Sequence, residues 1–128
     1  MRLLTQRIHD PPRSTGDCTE CCLAAILDVP REEVGEFGSD PVGRLVAERR
    51  WLLARGLMPL YLPAGGAEQP APDELCILSG PTERTERLGG AEHDVVGRGL
   101  TVVHDPHPSR AGLTAIRYAV VLRPRTVP

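Results

Sequence analysis

Apolar positions follow a helical rhythm in the first half of the chain and a strand-like one in the second. After the Pro-, Gly- and Ser-dense stretch DPPRSTGD (10–17), which reads as a loop, Leu23, Ile26 and Leu27 recur at helical spacing. Asp17 is an N-cap type of residue, so the helix is expected to start at Cys18 and to stop near Asp28, ahead of Pro30. PREEV (30–34) predicts a short helical turn with proline at its start. Asp40 and Pro41 then open a second amphipathic helix. Its apolar stripe is Val42, Leu45, Val46, Trp51, Leu52 and Leu53, and Gly56 ends it.

MPLYLP (58–63) predicts a strand and PAGGAEQPAPDE (63–74) a surface loop. ELCILS (74–79), HDVVG (93–97), LTVVHD (100–105) and IRYAVVLRP (116–124) read as further strands separated by Gly- and Pro-bearing turns. Helices followed by closely connected strands argue for an α+β domain, 1–128, with a mainly antiparallel sheet. The C-terminal VVLRPRTVP is read as an ordinary sheet edge followed by a frayed tail.

Composition narrows the classes. At 128 residues the chain is long enough for one core without staples. No apolar run is long enough to span a bilayer, and the N-terminus lacks the pattern of a signal peptide, so a cytoplasmic protein without a membrane partner is expected. A net charge of −2 and 3% aromatic residues give no basis for a nucleic-acid partner. All the basic residues are Arg, which fits the codon bias of a GC-rich genome.

Four cysteines in such a chain point to thiol chemistry or metal rather than to disulfides. Cys18 is expected in the first turn of a helix, where free N–H groups and the helix dipole favour a thiolate. Cys22, one turn on, and Cys76, in a strand, read as small core residues. Cys18 and Cys21 form C-x-x-C, but the preceding loop lacks the βαβ setting of a redox motif. His104 and His107 are a candidate second half of a zinc site with those cysteines, though some eighty residues separate the two halves. Thiol catalysis needs a base and a group that orients it. His93 opens one strand and Asp105 closes the next. An odd number of loop residues around GRG (97–99) puts Asp105 on the face of His93, whereas an even loop puts His104 there. Gly97 and Gly99 suit a three-residue loop with a bulge, which favours His93 with Asp105.

Cys at a helix start, His at a strand start and Asp at the end of the following strand is the chain order of papain-like cysteine peptidases. The chain resembles their small bacterial members, the double-glycine leader peptidases and related phage or actinobacterial proteins. DCTECCLAAIL (17–27) looks like that family's DCGxxCLAxxL, and HDVVGRGLTVVHDP (93–106) like its HxVV…V…DP. The likeness covers both ends of the chain, while 30–74 matches only in general architecture. It implies a papain-like fold, with the cysteine helix packed on the C-terminal sheet. It also implies a nucleophile at Cys18, a base at His93, an orienting residue at Asp105, and no role for Cys21. The family has Gly where Thr19 stands, and it carries an oxyanion-stabilising Gln close before its Cys. Gln6 is the upstream candidate for that role, twelve residues from Cys18.

The function so implied is a cofactor-free, metal-free thiol hydrolase or acyltransferase acting on an amide, isopeptide or thioester of a peptide or protein. The alternatives are an inactive papain-like binding module and a zinc-bound structural protein. SGPTERTERLGGAEH (79–93) reads either as a solvated surface or as a lid over the site.

Overall fold

A computed structural model describes residues 1, 4, 5, 17–83, 85 and 92–125. Three helices, α1 (Cys18–Leu27), α2 (Arg31–Val34) and α3 (Pro41–Ala54), precede five strands: β1 (Leu57–Pro63), β2 (Leu75–Gly80), β3 (His93–Arg98), β4 (Thr101–His104) and β5 (Tyr118–Pro124). They form one antiparallel sheet in the order β1-β5-β2-β3-β4, so the architecture is α+β. No helix among the described residues is long and apolar enough to cross a membrane.

Alternation along the strands sorts side chains onto two faces. Ile77, Val96 and Val120 pack with Leu23, Val34 and Leu52 of the helices. On the opposite face Cys76, Leu78, Val95, Ala119 and Val121 form a second cluster, covered by Leu113 and Ile116. Cys21, Cys22, Leu23, Ala24 and Ala25 of α1 are buried in succession, while Ile26 and Leu27 of the expected stripe are only half-buried. The small Cys and Ala side chains let this helix approach the sheet closely, so it is enclosed on most sides.

Two ion pairs brace the start of α1. The buried Arg31 guanidinium donates through Nε to the Asp17 carboxylate at 3.1 Å, and Arg44 of α3 pairs with buried Glu20 at 2.8 Å. Asp17 does occupy the N-cap position, but its side chain makes no capping hydrogen bond. Asp40 does cap α3, accepting from the Gly43 N–H at 2.7 Å.

Three expectations are corrected. Of the stripe expected on α3, Val42, Leu45 and Val46 face outward, while Leu52 is buried as expected and Glu48 is buried with it. The C-terminal strand is not an edge: β5 lies between β1 and β2, where it is hydrogen-bonded on both sides. The β3–β4 turn is not a three-residue loop. Arg98 pairs with Thr101 across the two residues Gly99 and Leu100, with Gly99 at φ +58°.

Candidate active site

Cys18 is the first residue of α1 and is buried. β4 pairs with β3 only from Val96 to Arg98, so the β4-side edge of residues 93–95 is left open. Cys18 sits at this edge: the Asp94 backbone N–H donates to its sulfur. Thr19, the neighbouring residue, donates its hydroxyl to the Asp94 carboxylate. Burial pushes the Cys18 thiol well above its ordinary range, and the Asp94 carboxylate pushes the same way; the Asp94 N–H opposes them without prevailing. The thiolate expected from the helix N-terminus is therefore not the resting state, because desolvation and Asp94 outweigh the dipole.

His93 and Asp105 meet through a bulge. A two-residue turn alone would pair Asp105 with Asp94 and turn it away from His93. The register shifts between Val96 and Gly97, however: Gly97 pairs with Val102 but Val96 with His104, leaving Val103 as the extra residue. This one-residue slip returns Asp105 to the His93 face. The His93 Nε2 then lies 2.6 Å from Asp105 Oδ1, with both side chains buried. Asp105 also accepts from the N–H groups of His107 at 2.9 Å and Gly112 at 2.8 Å. Burial alone would raise the Asp105 pKa; the His93 bond and the two N–H donors overcome it and lower the pKa to about 2. An ionised Asp105 fixes the proton of His93 on Nε2, which leaves Nδ1 as the basic nitrogen.

Cys18 and His93 thus lie at the same end of β3, but no hydrogen bond joins the sulfur to the imidazole among the described residues. Gln6 lies outside the described residues, as do 84 and 86–91 of the stretch read as a lid. A cavity of about 360 Å³ opens beside Cys18 on the helix-facing side of the sheet, walled in part by Arg44, Glu48, Tyr61, Asp94 and Tyr118. His93, on the other face, is not among its walls.

Glu48 is the site residue that sequence reasoning missed. It lies four residues from Leu52 and so shares that residue's inward face, which was the available signal.

The remaining cysteines are buried free thiols. Cys21 donates to Asp17 at 3.8 Å, and burial raises its pKa to about 12. Cys76 donates to the Gly99 carbonyl at 3.2 Å. The two halves considered for zinc do not converge: His104 Nε2 bonds the Leu4 carbonyl at 2.7 Å, and His107 Nδ1 contacts Ser109. No group of three His, Cys, Asp or Glu side chains among the described residues has a metal-holding arrangement.

Compared with known proteins, the chain matches no family model, no curated protein and no solved structure.

Proposed function

We propose that the chain is a papain-like thiol hydrolase or acyltransferase in which Cys18, His93 and Asp105 act on an amide, isopeptide or thioester carbonyl of a peptide or protein. The observation that carries this reading is the 2.6 Å His93–Asp105 bond, at the strand end where the next peptide N–H meets the Cys18 sulfur. The likeness to papain-like peptidases rests on these residues rather than on overall similarity.

The chemistry follows from the protonation states. With the resting thiol neutral, attack is general-base catalysed: His93 Nδ1 takes the thiol proton as the Cys18 sulfur bonds to the carbonyl carbon. Asp105 stabilises the imidazolium formed, which then protonates the leaving amine or thiol. The thioester left on Cys18 is resolved by water or by an amine. Asp17 makes no side-chain cap on α1, and the first-turn N–H groups of Cys18 and Thr19 are the oxyanion donors assigned in this reading. Free cysteines fit a reducing, cytoplasmic setting.

One observation favours a second reading. A buried thiol beside Asp94, without a bond to His93, is also what an inactive papain-like binding module would present.

Acyl transfer from a small activated thioester, followed by mass spectrometry of every cysteine, separates the two. An adduct on Cys18 alone is expected, forming roughly 10²–10⁴ times more slowly in His93→Ala and absent in Cys18→Ser. Equal rates with and without His93, or no adduct at Cys18, would overturn the catalytic reading in favour of the binding module.

A further inference from the structure

The cavity beside Cys18 contains an imbalance of charge. Its walls include three carboxylates, Glu48, Glu92 and Asp94, and one cation, Arg44. Arg44 is already engaged, since its guanidinium bonds both Glu20 oxygens and the Gly38 carbonyl. Glu92 is paired with Arg117. Among the described residues Asp94 accepts a side-chain hydrogen bond only from a neutral hydroxyl, that of Thr19.

Glu48 is the decisive group. It is 7% exposed, it lines the cavity, and it makes no hydrogen bond or ion pair among the described residues. A buried carboxylate without a partner is costly, and the cost disappears when a cation enters with it. Leu45, Tyr61 and Tyr118 line the cavity beside the carboxylates and also line an adjoining groove with Val42, Val46 and Arg49. Carboxylates and apolar side chains lining one cavity suit a side chain with an aliphatic stem and a cationic head.

We propose that this cavity is a subsite for a cationic group of the substrate, held by Glu48 and Asp94, so that the acyl group delivered to Cys18 carries a basic side chain. The proposal rests on the catalytic reading for its link to Cys18, but the cation site itself is tested apart from catalysis. Three probes of one shape, benzamidinium, benzamide and benzoate, are titrated calorimetrically into the whole chain at pH 8. Burial, with Asp94, raises Glu48 to about 7, so it is ionised there.

Benzamidinium is expected to bind one-to-one, with benzamide and benzoate at least tenfold weaker. Glu48→Gln is expected to bring benzamidinium down to the level of benzamide, and Asp94→Asn to weaken it independently should the first variant not fold. Equal binding of benzamidinium and benzamide, or benzamidinium affinity unchanged in the variants, overturns the proposal.

Acylation by peptidyl thioesters then identifies which reactant bears the charge. An Arg thioester is expected to acylate Cys18 at least tenfold faster than its neutral citrulline counterpart, with the preference lost in Glu48→Gln. If instead Glu48 accelerates only aminolysis by benzylamine, the assignment of the cation to the acyl donor is overturned and it belongs to the incoming amine. Cation binding lost with His93-dependent acylation intact removes the subsite alone. His93-independent acylation with binding intact removes the catalytic reading alone.

Discussion

Three donors converge on one carboxylate at Asp105: the His93 ring and the N–H groups of His107 and Gly112. Arg110 holds the same residue by its carbonyl at 2.6 Å, so backbone and side chain are both fixed. The neighbouring His104 faces the other way and bonds Leu4, which shows how strictly position decides role here. Because its pKa falls from 3.8 to about 2 on folding, Asp105 contributes stability that is complete above the unfolded value and is lost as pH falls toward the folded one. That contribution is about 2 kcal/mol at 1.36 kcal/mol per unit. Asp105→Asn is expected to flatten the acid limb of a pH–stability curve between pH 4 and 2, and to slow Cys18 acylation by roughly a hundredfold or more through loss of the correct imidazole tautomer. An acid limb identical to wild type would mean that the carboxylate is not held as described.

Among the elements, the β3–β4 hairpin does most to assemble the site, because its bulge sets which residue of His104 and Asp105 reaches His93. Inserting one alanine between Val103 and His104 is expected to move Asp105 one position along, onto the Asp94 face, and to abolish His93-dependent acylation. The far-ultraviolet dichroism should stay close to wild type. Retained acylation in this variant would show that cross-strand register is not what brings the pair together. Gly97 belongs to the same device, since a Cβ there would lie 2.5 Å from Leu78 Cδ1. The elements themselves were legible in the sequence because their signals are local: Asp40 before Pro41, Gly56 after the helix, turn residues between strands. The positions of Cys18, His93 and Asp105 were legible for the same reason, each sitting at an element end. The bulge was not, since the extra residue is an ordinary valine and only cross-strand register reveals it. The outward face of α3 was not legible because Val42, Leu45 and Val46 look like one core stripe with Leu52, whereas the helix turns Glu48 inward beside Leu52. Strand order is non-local, so the central place of β5 had no signature in its own residues.

For the whole molecule, Glu48, buried without a hydrogen bond or ion pair among the described residues, is a cost spread over the fold. Its pKa rises from 4.5 unfolded to about 7 folded, through burial first and Asp94 second. Between those values the folded chain holds more protons than the unfolded one, so stability falls as pH rises across that window and stays reduced above it. The charged and titratable groups acting on Glu48 are Asp94, Arg44, Glu20 and Arg49, with Tyr61 facing it from β1. Glu48→Gln is therefore expected to stabilise the protein by about 1–3 kcal/mol at pH 8, and by almost nothing near pH 4.5, in urea titrations at the two pH values. A variant no more stable at pH 8 would show that Glu48 is already satisfied in solution. Stability given up at a site lining the Cys18 cavity is the pattern expected where a group is kept for a ligand rather than for the fold.

The placement of β5 has a consequence for the order in which the molecule is made. β1 and β2 have no hydrogen bonds to each other; both depend on β5, the last strand of the sheet. On the ribosome, α3 with β1 and the β2–β3–β4 meander emerge as two unjoined pieces, each with an open strand edge. Only when residues 118–124 leave the exit tunnel can these pieces close into one sheet. Until then the ridge of the cavity beside Cys18, which takes Tyr118 and Val120 from that strand, has not been built.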